Sequence, residues 1–203
     1  MKLFKTPRII RKYFFRRTWD FSMHTNEVFL TFDDGPHPDI TPFVLEELKK
    51  QQITACFFCV GDNVRKYPEL FDRIRNEGHQ VGNHTMFHNN AIKTKKKVYF
   101  ESIHTAQELI QSTYFRPPYG RLQPSRSRRI AKEYKIIMWS WLSYDFDLSI
   151  SIKDILQNAE KNIQRGDVLV LHDNPKIKER QKELLPQLIQ LIKDKDLIFG
   201  RLR

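Results

Sequence analysis

Strand-sized apolar runs alternate with helix-patterned segments along almost the whole chain, and this alternation restricts the fold more than any other feature. Residues 27–33, 54–60, 79–83, 114–117, 135–141, 167–171 and 196–199 read as strands. Between them, residues 39–50, 68–76, 95–111, 125–134, 151–163 and 179–193 carry apolar side chains at helical spacing, several opened by proline or followed by glycine. Short connections between alternating strands and helices are the signature of a parallel α/β architecture. With 203 residues and no internal linker or repeat, residues 27–203 read as one domain behind a basic arm, residues 1–26.

Polar residues fall at one end of these strands. Asp33-Asp34, His84, Arg116, Asp145 and His172 each sit at or just past a carboxyl end, the ligand edge of a parallel sheet. In the first strand Phe29, Thr31 and Asp33 share one face, and Leu30, Phe32 and Asp34 the other. Gly35-Pro36 ends the strand there. Adjacent carboxylates repel, so they make either a solvated turn or a site where a cation or a proton removes one charge.

His84-Thr85-Met86-Phe87-His88 has two histidines four apart, which on one helical turn would share a face. With one carboxylate from Asp33-Asp34 they form a two-histidine, one-carboxylate set, the donor count of a catalytic divalent metal with an open position. Arg116-Pro117-Pro118-Tyr119-Gly120 is either a stiff turn with an exposed arginine, or a partner for an acid with backbone N–H groups to offer an oxyanion. His172 ends an apolar strand, as a structural residue or as an acid tuned by Asp145. Trp139, Trp141, Tyr144 and Phe146 surround Asp145, as core or as a wall for a methyl group or sugar face.

The net charge of +11 is uneven: seven basic residues and no acid lie in the first 17 positions, leaving about +4 on the rest. Ile9, Ile10, Tyr13 and Phe14 recur at helical spacing against Arg8, Arg11, Lys12 and Arg16. This short basic amphipathic helix packs on its own domain or lies on an anionic membrane surface. No base-reading module accompanies it, so no nucleic-acid partner is expected. No apolar stretch long enough for a secretory leader follows the basic start, so a cytoplasmic chain is expected. Cys56 and Cys59 fall on opposite faces of a strand, too far apart for a disulfide, and read as buried thiols.

Five segments resemble, in order and spacing, the polysaccharide deacetylases, carbohydrate esterase family 4 with its NodB homology domain. They are Thr31-Phe32-Asp33-Asp34-Gly35, His84-Thr85-x-x-His88, Arg116-Pro117-Pro118-Tyr119-Gly120, the aromatic segment 139–145, and Leu171-His172-Asp173. The resemblance implies a distorted, incomplete (β/α) barrel of about seven parallel strands and metal-assisted removal of N-acetyl groups from a peptidoglycan- or chitin-like sugar chain. Asp34, His84 and His88 would hold the metal, usually Zn2+, with Co2+ or Ni2+ as further candidates. Asp33 would take a proton from water on the metal, oriented by Arg116. The Tyr119 N–H would bind the oxyanion, and His172, tuned by Asp145, would protonate the amine. Trp139, Phe146, Val170 and Pro118 would line the acetyl pocket. Leu142 and Phe146 depart from the family's usual Asp-x-x-Asp-Trp, and Val170 from its usual Leu, which leaves the substrate open. An amidase or deformylase on a small or lipid-linked sugar, or a silent carbohydrate binder, are the other readings.

Overall fold

The computed structural model describes residues 2–21 and 24–203. Its strands are β1 (Glu27–Asp33), β2 (Cys56–Cys59), β3 (Gln80–Asn83), β4 (Tyr114–Phe115), β5 (Lys135–Ile136), β6 (Trp141–Leu142), β7 (Val168–His172) and β8 (Ile198–Phe199). All pair parallel in the order β5-β4-β3-β2-β1-β7-β6, with β8 extending the start of β1. Seven strands form a curled half-barrel, as the alternation and the resemblance predict. The helices are α1 (Arg8–Tyr13), α2 (Thr41–Gln51), α3 (Gly61–Lys66), α4 (Pro68–Asn76), α5 (Lys96–Ile110), α6 (Pro124–Ile130), α7 (Ile152–Asn162) and α8 (Lys178–Asp194). α3 was not legible: Gly61 and Val64 are its only buried residues, too few for an apolar period.

The two faces of β1 do different work, as their alternation predicts. Leu30 and Phe32 point outward into the layer shared with Phe57, Cys59, Leu169 and Leu171 and with α2 and α8. Leu45, Leu48, Leu184, Leu188 and Ile192 in that layer are fully buried, each contributing roughly 2 kcal/mol of transfer free energy. Phe29 points inward, with Cys56, Phe58, Val168, Ile137 and Leu202, into a smaller core that fills the barrel floor. Cys56 and Cys59 thus sit in different cores as free buried thiols, and burial raises both.

The expected continuous strand 135–141 is instead two pieces. Ile137 N–H still bonds Phe115, next to β5, but Ser140 N–H bonds Val168, next to β6. The chain leaves one edge of the sheet and joins the other, and no run this short can pair with both. The N-terminal arm fills that opening. Thr6 N–H bonds Ser140 C=O and Leu142 N–H bonds Phe4 C=O; farther along, Thr18 N–H bonds Ile136 C=O and Met138 N–H bonds Thr18 C=O. Lys5 pairs with the buried Asp167, and buried Arg17 donates to Leu122 C=O. The arm is stitched to the barrel as an edge cover rather than merely lying near it.

Candidate active site and metal centre

Thr31 and Asp33 share the inward face of β1, and Arg116, just beyond β4, reaches both. Its Nη1 donates to Asp33 Oδ1 and Thr31 Oγ1, each at 2.7 Å, while Nε and Nη2 donate to Ile137 and Met138 C=O. The guanidinium is fully buried over the Phe58 ring, 4.0 Å from its centroid. The exposed-arginine alternative is thereby excluded: a buried cation requires a carboxylate, and Asp33 is it.

Asp34 turns away. Its φ of 86° is a conformation L-residues rarely adopt, of order 1–3 kcal/mol in cost. Asn63 holds that turn by donating to Asp34 C=O at 2.8 Å, and Asn174 donates to Oδ2 at 3.2 Å. Gly35 follows because nothing larger fits: an added Cβ would lie 1.9 Å from the Asp173 carboxylate. Asp173 instead accepts from Gly35 N–H at 2.8 Å and from the Thr41 hydroxyl at 2.6 Å. Burial, reinforced by the Asp34 charge, pushes the Asp173 carboxyl up to about 7 against those two donors.

His84 and His88 meet, but not on a helical turn as their spacing predicts. They lie in a loop in which Thr85 and His88 have positive φ, at 65° and 51°. Asn83 Oδ1 accepts from Thr85 N–H, and Thr85 Oγ1 from Asn89 N–H, so side chains replace the helical bonds. The ring centroids end 5.0 Å apart. His84 Nδ1 lies 2.8 Å from Arg116 C=O, which can only accept, so Nδ1 carries the hydrogen and Nε2 keeps its lone pair. Burial lowers His84 to about 4, opposed by Asp33, so its ring is neutral near pH 7.

The donor atoms of Asp34, His84 and His88 all lie within 4.8 Å of one another. Asp34 Oδ1 is buried without a hydrogen-bond partner and lies 3.2 and 3.9 Å from Nε2 of His88 and His84. A buried, unpartnered carboxylate oxygen facing an imidazole lone pair fits a divalent cation. Burial alone would raise Asp34, but His172, His84, His88 and Asn174 outweigh it and hold the carboxyl low.

Across the cavity, His172 Nδ1 lies 2.7 Å from Asp145 Oδ1, and its backbone N–H donates to Oδ2 at 2.7 Å. Burial, the largest single influence, pulls the imidazole down, but Asp145, by charge and hydrogen bond, together with Asp34 and Asp33, raises it to about 9. Gln181 in α8 clamps the pair, donating to Asp145 Oδ2 at 2.9 Å and to His172 C=O at 2.8 Å. Sequence reasoning gave no role to Gln181, Asn63, Asp173 or Asn174. The last two directly follow His172, but nothing marks Gln181 or Asn63.

One cavity of about 570 Å³ is lined by Asp33, Asp34, His84, His88, Tyr119, Trp139, Phe146, Val170 and His172. Arg116 and Asp145 support it from behind, fully buried. Pro118 does not line it. The tight turn it begins buries it and pushes Tyr119, at φ 60°, out against His88, ring centroids 4.6 Å apart. The Gly120 N–H is taken by Pro117 C=O, leaving the Tyr119 amide as the turn's candidate oxyanion donor. Phe146 packs edge-on against His172 at 5.0 Å.

A parallel half-barrel with a cation-type donor set, a buried acid–arginine pair and a histidine–acid pair at its carboxyl edge has the groups of a hydrolase class. Within that class the chain belongs to the polysaccharide deacetylase family, whose model matches residues 22–139. It is 35% identical over 156 residues to a peptidoglycan-N-acetylglucosamine deacetylase of Bacillus cereus, covering 73% of this chain and only 56% of that protein. A second such deacetylase from the same organism is 30% identical over 190 residues, covering 90% of this chain and 89% of the relative. Among solved structures, the Bc1960 peptidoglycan N-acetylglucosamine deacetylase, bound to 4-naphthalen-1-yl-N-oxidanyl-benzamide, superposes with a TM-score of 0.88 at 30% identity, covering 97% of this chain and 95% of its own.

Proposed function

We propose that this protein is a metal-dependent hydrolase that removes N-acetyl groups from a sugar chain of the peptidoglycan or chitin type. The observation that carries the reading is the convergence of three sets on one cavity: a cation-type donor set, a base held by a buried arginine, and a histidine held as an acid. A silent carbohydrate binder would require none of the three. The names of the relatives support an N-acetylated glycan as substrate.

A divalent cation held by Asp34, His84 and His88 would supply the Lewis acidity that activates water and polarises the acetamide carbonyl. The chain's own residues account for the rest. Arg116 takes Asp33 Oδ1, which orients the carboxylate and leaves Oδ2 to accept a proton from the attacking water. That division removes the repulsion between the adjacent acids, because Arg116 neutralises Asp33 while a cation held by the donor set would neutralise Asp34. The Tyr119 amide stabilises charge developing on the carbonyl oxygen. His172 is held as imidazolium by Asp145 and donates a proton to the departing sugar amine, without which that nitrogen does not leave. Trp139, Phe146 and Val170 offer the acetyl methyl an apolar wall.

The test is acetate release from N-acetylated chitooligosaccharides and peptidoglycan strands by zinc-loaded enzyme, with Asp33→Asn beside it. Wild type is expected to release acetate, and Asp33→Asn to keep its metal while losing about 10²-fold or more in rate. A metal-loaded wild type inert on every N-acetylated glycan would sink the proposal.

A further inference from the structure

The arm's seven cations divide into two groups. Lys2, Lys5 and Arg11 pair with Asp147, Asp167 and Asp20, and Arg17 is buried against Leu122 C=O and Ser127. Arg8, Lys12 and Arg16 are exposed, and none has a carboxylate within ion-pair distance among the described residues. The apolar residues divide as well. Ile10 and Phe14, four apart, face inward onto the cluster of Trp19, Tyr99 and Phe100. Ile9 and Tyr13, also four apart, face out and are 77% and 75% exposed, with Phe15 beside them at 73%. The outer surface of the arm therefore carries an apolar ridge next to a cationic one. Arg128, Arg129 and Lys132, in and just after α6, are exposed as well, and α6 shares a shallow cleft with residues 13–17.

We infer that this face is a peripheral docking surface for an anionic lipid bilayer. The apolar stripe that, from sequence, either packs inward or meets a membrane does both, because the helix presents two separate ridges. A soluble polyanion would match the cations but leave Ile9, Tyr13 and Phe15 in water. A second copy of the chain would bring its own +11 charge against the same patch. Phospholipid headgroups over an acyl boundary satisfy both ridges at once. No helix among the described residues is long and apolar enough to cross a membrane, so the contact lies on the surface.

Deleting the arm would confuse the test, because the arm also closes the barrel edge. Full-length protein is instead sedimented with vesicles of phosphatidylcholine alone and of phosphatidylcholine with phosphatidylglycerol. The expected result is binding to the anionic vesicles only, weakened by added salt. Arg8→Gln/Lys12→Gln/Arg16→Gln should lower the partition coefficient about tenfold or more, and so should Ile9→Ser/Phe15→Ser, which leaves every charge in place. Unchanged thermal midpoints show that both variants are folded, and the lipid preference of the wild type is read with no substitution at all. Failure of the wild type to bind anionic vesicles overturns the inference. So does undiminished binding by Ile9→Ser/Phe15→Ser, which marks adhesion by charge alone.

Discussion

Single residues set the chemistry of the cavity through their neighbours. His172 is raised to about 9 although burial opposes it, so the Asp145 carboxylate is what holds its proton. Asp145→Asn keeps the volume and removes the charge. The His172 pKa should then fall, since burial remains and only the charges of Asp34 and Asp33 still oppose it. An NMR titration of the imidazole reads the fall, and the basic limb of the kcat profile should move to lower pH with it. With the folded pKa raised, the pair's stabilisation is fully present below about pH 6.5 and is lost as pH rises through about 9. In Asp145→Asn that loss between pH 6.5 and 9 should shrink in urea-unfolding curves. Asn174 acts on the donor set through Asp34 Oδ2, so Asn174→Ala should weaken Zn2+ affinity about 10- to 100-fold, read by chelator competition. Unaltered affinity would place Asn174 outside the support of the donor set.

At the scale of elements, the loop after β1 is packed against the loop after β7 with no room between them. Gly35→Ala would drive a methyl into the Asp173 carboxylate and disrupt its bonds to Gly35 N–H and Thr41. A destabilisation of about 1–3 kcal/mol is expected from overpacking alone, measured by urea unfolding. Gly82 shows the same constraint between β2 and β3, where an added Cβ would lie 2.4 Å from the Phe58 ring that supports Arg116. Elements long enough to show a full apolar period, such as β1, α5 and α8, agree with their sequence reading to within a few residues. So do shorter ones such as α4, β3 and β7, and two stretches depart. α3 has too few buried positions, and residues 135–142 change pairing partners midway, which no local pattern records.

At the scale of the whole molecule, the half-barrel is open between β5 and β6, and the arm is what covers the opening. Removing residues 1–18 would break four backbone hydrogen bonds to strand edges, expose the Ile10 and Phe14 contacts and leave Asp167 buried without Lys5. At about 1 kcal/mol per bond, a loss of roughly 4 kcal/mol is expected before any effect of the stranded acid, visible as a lowered denaturation midpoint. A truncated chain as stable as the full one would show that the edge needs no cover. The same opening adjoins the segment that carries Trp139, Asp145 and Phe146, so the truncation should lower activity as well as stability.

The parallel alternation, the inward and outward faces of β1, and the gathering of Asp33, Asp34, Arg116, Asp145 and His172 at one edge were determined by the sequence alone. Strand periodicity and strand ends are local properties, and local pattern records them. Tertiary structure decided the loop that brings His84 to His88, the clamp from Gln181, the exclusion of Pro118 from the cavity and the role of the arm as a barrel edge. Each of these depends on contacts between residues distant in sequence, whose energies exist only once the chain has closed on itself.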